Sequence, residues 1–484
     1  MAGRDLSSER LLLIDGKAVL GEGPVIEVVN PATEELILAV PQASPGQLDL
    51  AVRSARRAFD TGGWPAMSPE KRARLLEHVW RTLMAHEDEL LDSLIAETGA
   101  AVSSAKPVQL AEAMAFLRWF ANAARQVPVV PTPPDFLLTQ TTGEVRAVPV
   151  GVVAAISAFN YPLLIALLKV GAALAAGCTT VLMPSPRTPV TTLMLGRLLN
   201  GCGLAPGVVN VLVGEAGVAK ALTEHPMVDK VSFTGSDHVG ALVAEQAGRN
   251  IKGVVLELGG KSPCIVMPGG TAGPAIDTAL RRLFRNAGQG CKSPSRILVH
   301  EDEYDAAVAQ ARKTVSEITV GDPLLPSTDV GPVIRASERD RIAGVVADAV
   351  ASGAEVLASA ALPDLERGYW SPPTVVGGVT NAASISQDEI FGPVAVLLTY
   401  RNIDEAVAIA NDTRFGLAGY VYGPDTLAAL EVAKRIRAGS VHVNGGVDRP
   451  DTPGGGFKAS GIGREGGDYG ISEFYQWQNL RWAL

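Results

Sequence analysis

Three residues of this chain have the types and surroundings that carbonyl chemistry needs. Cys291 lies in NAGQGCKSPSRI, where Gly288 and Gly290 leave the approach to the sulfur open and Lys292 adds a neighbouring positive charge. A thiol acts as a nucleophile when it can ionise and be reached, which is the context that open backbone and a cation provide. The competing reading is a small buried filler, the commoner role of a free cysteine. Glu257 lies in VVLELGGKSP, between Leu256 and Leu258 at the end of an apolar run. Desolvating a carboxylate there is costly, and burial would raise its pKa into the range of a general base. A structural glutamate satisfied by the backbone N–H groups of Gly259 and Gly260 is the other reading. Asn160, in the turn AFNYP, could donate its amide to a developing oxyanion or merely cap the helix that follows. Gly235 and Gly240, in FTGSDHVG, would let a phosphate approach a helix N-terminus, although their spacing is not that of the GxGxxG fingerprint.

These residues need elements to hold them. Between Gly151 and Met267, short apolar runs (VGVVAAIS, TTVLMPS, VVNVLVG, KVSFTGS, VVLELGG) alternate with helical stretches (TPVTTLMLGRLLNGCG, GVAKALTEH, DHVGALVAEQAG). That alternation predicts βαβ units and a parallel sheet, with ligands at the carboxyl ends of its strands. Asn160, Ser185 and Gly235 then share one rim. Upstream, residues 46–62 and 68–99 form charged, periodic helices on the outside of this first domain. A second α/β alternation begins near Ala275, with helices such as DEYDAAVAQARKTVSEI around strands such as SRILVH and VAVLLTY. The proline-rich stretch Pro128–Arg146 is expected to be an extended arm, and the aromatic tail FYQWQNLRWAL to be buried against another surface.

The 484 residues suit two or three domains, and 47% hydrophobic with 19% charged residues is ordinary for a packed globular chain. A net charge of −9 argues against a nucleic-acid partner. Four scattered cysteines (Cys178, Cys202, Cys264, Cys291) make neither a disulfide framework nor a zinc site. Cys178, Cys202 and Cys264 are expected to be inert, no metal is expected, and a cytoplasmic location is the default. The start, MAGRDLSSERLLLIDGK, has no signal-peptide pattern. The uncharged run Ala147–Leu168 is long enough to score as a membrane span. Its parts nevertheless read as strand, turn and helix, with Pro162 in the helix's first turn, so no membrane partner is expected.

Taken together, the motifs resemble the aldehyde dehydrogenase superfamily. The likeness runs from NPATEE (Asn30–Glu35) to the C-terminus through AFNYP, MPSPRTP, FTGSDHVG, LELGGKSP, NAGQGC, DEIFGPV, FGLAGYV and PGGGFKASGIGREGG, in the family's order. It implies a Rossmann-like cofactor domain (1–127 and 147–257), a catalytic domain (258–457) and an oligomerisation arm and tail (128–146 and 465–484), assembled as a homodimer or homotetramer. It makes Cys291 the nucleophile toward a small-molecule aldehyde. Asn160 and the Cys291 N–H become the oxyanion donors, Glu257 the base that hydrolyses a thioester, and Lys169 and Glu465 a proton path behind it. Glu389 and Phe391 match the pair that positions the nicotinamide ribose and ring. The remaining cofactor positions are Ser157, Phe159, Met183, Ser185, Arg187, Gly217, Phe233, Gly235, Ser236, Gly240, Leu258 and Gly259. Tyr161, Ile165, Leu168, Gly290, Lys292 and Gly454 would line the substrate tunnel.

Two departures from the family pattern bear on specificity. Met183 and Pro186 stand where a lysine and a glutamate usually hold the adenosine ribose, so NAD is the expected cofactor with NADP left open, Arg187 being at hand for a 2′-phosphate. Leu168 and Gly454 replace residues that are often aromatic, which should open room for a bulky, aromatic or terpenoid aldehyde. No arginine stands at the matched tunnel positions to receive a carboxylate, although loops outside the motifs could supply one. Glu257 speaks against a CoA-acylating enzyme, in which a thiol takes the acyl group. A non-redox thiol hydrolase or a binding protein on the same fold is the further alternative.

Overall fold

The computed structural model describes residues 7–270 and 272–484; the first six residues of the segment read for a signal peptide lie outside them. Two sheets organise the chain. The first has eight strands, in the order Gly461–Ile462, Gly253–Glu257, Lys230–Thr234, Val152–Ile156, Thr179–Met183, Val209–Val211, Leu11–Ile14, Lys17–Leu20. Five consecutive strands, Gly253–Glu257 to Val209–Val211, pair in parallel, and the strands beyond them at both edges are added by antiparallel pairing. Strand order reverses beside Val152–Ile156: the next two strands build outward on one side, and the following two on the other. A crevice therefore opens between the ends of Val152–Ile156 and Lys230–Thr234, where sheets of this type bind their ligands.

The second sheet has seven strands, in the order Glu355–Ser359, Thr374–Gly377, Val394–Tyr400, Arg296–His300, Pro263–Val266, Ala418–Tyr422, Ser440–Val443; only the first is antiparallel. Each sheet carries its own hydrophobic core. After the second sheet the chain crosses back, and Gly461–Ile462 pairs with Leu256–Glu257.

The run that scores as a membrane span divides into the end of strand Thr141–Pro149, strand Val152–Ile156 and the start of helix Pro162–Ala176. Among the described residues, no helix is long and apolar enough to cross a membrane. Helix Pro162–Ala176 begins with Pro162 and stops at left-handed Gly177, and it is buried on almost every side, as an apolar helix inside a large domain must be. Its single charge, Lys169, is fully buried and so needs a partner.

The arm consists of Val129–Asp135 and Thr141–Pro149, with the tail strand Tyr475–Ala483 added to it antiparallel. The expected burial of the tail is not met within one chain. Strand pairing satisfies its backbone, while Trp477 and Trp482 stay about half exposed.

Candidate active site

Asn160, Glu257 and Cys291 arrive from three different elements and line one cavity of about 230 Å³. Asn160 follows strand Val152–Ile156, Glu257 ends strand Gly253–Glu257, and Cys291 follows the turn after helix Ala272–Phe284. Tyr161, Ile165, Leu168, Gly290, Lys292, Gly454 and Glu465 line the same cavity.

The surroundings decide between the paired readings of the sequence. The Gly260 N–H donates to Glu389 Oε1 at 2.8 Å, so it is not the group that satisfies Glu257. Glu257 Oε1 is instead buried without a hydrogen-bond partner. A Cβ at Gly455 would lie 2.9 Å from that oxygen, so Gly455 gives the carboxyl its room. Burial, reinforced by the Glu465 carboxylate, pushes the Glu257 pKa up to about 8, against the pull of Lys292, Lys169 and Arg464. Asn160 does not cap the following helix, which has no side-chain cap. Its Nδ2 donates to the Gln289 carbonyl at 2.9 Å.

Burial likewise pushes the Cys291 thiol up to about 12; Lys292 opposes the shift, and Glu257, Glu389 and Asp448 add to it. The cation expected to activate the sulfur is engaged elsewhere, since Lys292 Nζ sits 3.1 Å from Asp448 Oδ1. Burial thus favours the thiol form, so Cys291 gives up its proton as it attacks. The other three cysteines are buried with raised pKa values, in line with inert thiols. Lys169 Nζ meets Glu465 Oε1 at 2.7 Å and Ser232 Oγ at 3.1 Å, a buried ion pair behind Glu257.

The cofactor positions cluster around the crevice, and their chemistry fits a dinucleotide. At the end of strand Val152–Ile156, Ser157 Oγ is buried without a partner. Ser236 caps helix Asp237–Gly248, whose N-terminus is a phosphate-sized anion site. Gly217 has nothing within 4 Å of a would-be Cβ, leaving open space above it. At Gly240 and Gly235 a Cβ would come within 2.4 Å of Leu258 and 2.3 Å of Phe233, so those two glycines are fixed by close packing. Glu389 is held over Gly259 and Gly260, and burial raises its pKa to about 7. Phe391, at φ 52°, packs edge-on against Phe159 with centroids 5.7 Å apart. Met183 is buried in the sheet. The Arg187 guanidinium lies 5.0 Å over the Phe159 ring, and its backbone N–H reaches Ser185 Oγ.

Two features of the tunnel add to the sequence reading. A Cβ at Gly454 would stand 3.4 Å from Lys292 Nζ, an ordinary contact with the end of a flexible side chain, so Lys292 bounds the space that the glycine leaves. Arginines do reach the cavity, from outside the matched positions: Arg282, Arg285 and Arg449 line it, together with Glu112 and Phe116. Arg449 is forked onto Asp451 and Arg282 lies 4.9 Å over the Tyr420 ring. Glu112 and Phe116 come from helix Ala111–Ala123, one turn apart. Their spacing was visible in the sequence, but nothing there said that this face looks into the tunnel.

Comparison with known proteins agrees with this architecture. The family model described as "Aldehyde dehydrogenase family" matches residues 19–480. A 3-succinoylsemialdehyde-pyridine dehydrogenase from a Pseudomonas species is 39% identical over 474 residues, covering 96% of this chain and 97% of the relative. Among solved structures, a cysteine-to-alanine mutant of aldehyde dehydrogenase C from Pseudomonas syringae, in complex with NAD+ and octanal, is 37% identical with a TM-score of 0.92, covering 98% and 97% of the two chains. Betaine aldehyde dehydrogenase from Staphylococcus aureus, in complex with NAD+, is 31% identical with a TM-score of 0.94 over 98% and 95%.

Proposed function

The chain belongs to the aldehyde dehydrogenase family and is an NAD-dependent enzyme of aldehyde oxidation; from that premise we propose how its own residues carry the reaction. Cys291 Sγ bonds to the aldehyde carbon as its proton passes to solvent, which leaves Glu257 ionised for the second half of the reaction. The Asn160 amide and the Cys291 N–H hold the oxygen that gains charge, a fixed electrostatic contribution in a water-poor site. Ser157, Ser236, Glu389 and Phe391 would hold NAD, which would supply the hydride acceptor; with hydride lost, the carbon on Cys291 is a thioester. Glu257 then takes a proton from water, the water oxygen adds to the acyl carbon, the C–S bond breaks and the carboxylic acid leaves. Lys169 and Glu465 carry the proton away. The single observation that carries this reading is the meeting of Asn160, unpartnered Glu257 and Cys291 in one cavity. Its test is NADH absorbance with an aldehyde panel, in which Cys291→Ala abolishes the signal. Release of free acid without CoA separates hydrolysis from acyl transfer to a thiol.

For substrate, we infer a bulky aldehyde. A cavity of about 230 Å³, a relative named for a pyridine-bearing semialdehyde and a structural neighbour holding octanal all support one larger than acetaldehyde. Benzaldehyde or citral should show higher kcat/KM than acetaldehyde, and the reverse order would sink the inference. Arg285, which lines the tunnel and has no carboxylate within ion-pair distance among the described residues, favours a second reading: an aldehyde carrying a carboxylate at its far end. Succinic semialdehyde in the same panel tests it. For cofactor, NAD over NADP is supported by the structural neighbours in complex with NAD+. Four free cysteines fit a reducing compartment such as the cytoplasm. The exposed arm and tail fit homo-oligomerisation.

A further inference from the structure

We propose that Asn286 is a positioning residue, holding Asn160 so that its amide faces the substrate oxygen on Cys291; this rests on the roles given above to Cys291 and Asn160. Three buried amides close a ring around the turn before the nucleophile. Asn286 Nδ2 donates to the Asn160 carbonyl at 2.9 Å, Asn160 Nδ2 to the Gln289 carbonyl at 2.9 Å, and Gln289 Nε2 to the Asn286 carbonyl at 3.0 Å. The Ile334 N–H fixes Gln289 Oε1 at 3.0 Å from outside. All three side chains are at most 4% exposed, so water does not compete for these bonds. One N–H of the Asn160 amide is thus committed to Gln289, and its second N–H remains for the oxygen of the substrate. A reversed Asn160 amide would set its oxygen against the Gln289 carbonyl, so the ring also fixes which way the donor points.

The backbone explains why the residue at 286 is asparagine. Asn286, Ala287 and Gly288 are successively left-handed, with φ of 52°, 52° and 73°. Among residues with side chains, asparagine and aspartate tolerate that region best. Glycine enters it freely but has no donor, and aspartate presents acceptors only. Asparagine combines the turn with the N–H that reaches Asn160. The turn also passes close to its neighbour: a Cβ at Gly288 would come within 2.1 Å of the Gly392 backbone, so no side chain fits there.

The test compares two reactions of Cys291 in the full-length enzyme without cofactor. Acylation by p-nitrophenyl acetate passes through an oxyanion, whereas alkylation by iodoacetamide does not. Asn286→Gly keeps the backbone and drops the donor; Asn286→Asp keeps the shape and reverses the polarity. Both should acylate about 10- to 100-fold more slowly, part of the roughly 10²–10³-fold that loss of an oxyanion donor costs. Their alkylation rates should stay within about threefold of wild type. Combining either with Asn160→Ala should add little to Asn160→Ala alone. The inference is overturned if Asn286→Gly acylates normally while Asn160→Ala is slow, or if alkylation and acylation fall together. Normal acylation by Asn160→Ala would instead overturn the oxyanion assignment itself.

Discussion

At Glu257, burial has two consequences that can be measured separately. A carboxyl with a pKa near 8 is a base only in its ionised fraction, which grows with pH until that value is passed. The hydrolytic limb of kcat should therefore rise through about pH 8 and then level, and Glu257→Gln should lose it, with a roughly 10²–10⁴-fold fall in turnover and a retained first burst of NADH. Stability runs the other way. A pKa raised above its unfolded value favours the fold while the group is protonated, and this contribution is lost as pH rises through about 8. Glu257→Gln should thus melt higher than wild type at pH 9 and no higher at pH 5, by calorimetry at both pH values. At this scale the sequence was legible wherever a motif was contiguous: neighbours alone left Cys291, Glu257 and Asn160 with two readings each, and the ordered set of motifs around them gave each its role. The engagement of Lys292 with Asp448, far apart in the chain, was not. Nor was the amide ring of Asn286 and Gln289, although both lie inside NAGQGC, because the ring exists only once the turn is left-handed.

Helices set the width of the tunnel. Helix Pro162–Ala176 carries Ile165, Leu168 and Lys169, and helix Ala111–Ala123 brings Glu112 and Phe116 to the same cavity. The two helices touch where Gly171 faces Phe120, and a Cβ at Gly171 would come within 2.7 Å of that ring. Gly171→Ala should push the helices apart and cost about 1–3 kcal/mol, as overpacking does. A lower melting temperature and a changed aldehyde KM with unchanged NAD affinity are the expected outcome. Periodicity revealed these helices as elements, and the parallel sheet followed from the βα alternation. Which helical face meets which tunnel is a tertiary fact, and for that reason Arg285, Glu112 and Phe116 escaped a reading based on motifs. At Gly454 the space is bounded by Lys292, whose ammonium a Cβ there would meet at ordinary contact distance.

The molecule as a whole brings two sheets to one cavity: strand ends of the first supply Asn160 and Glu257, and the turn before strand Arg296–His300 of the second presents Cys291. Its arm presents Leu137 and Leu138, each at least 90% exposed, and the tail strand paired with the arm leaves Trp477 and Trp482 about half exposed. Exposed apolar side chains on one small sheet suit a partner surface. Changing Leu137 and Leu138 together to Ser should lower the mass seen by light scattering, whereas an unchanged mass would remove the arm from the assembly. The account as a whole depends on an acyl group carried by one sulfur. The direct measurement is intact-peptide mass spectrometry of Glu257→Gln quenched after one turnover with octanal and NAD. The predicted result is one octanoyl group per chain on the Cys291 peptide, absent when NAD is withheld. A stoichiometric burst of NADH with that peptide unmodified, or with the label on Cys178, Cys202 or Cys264, would contradict it.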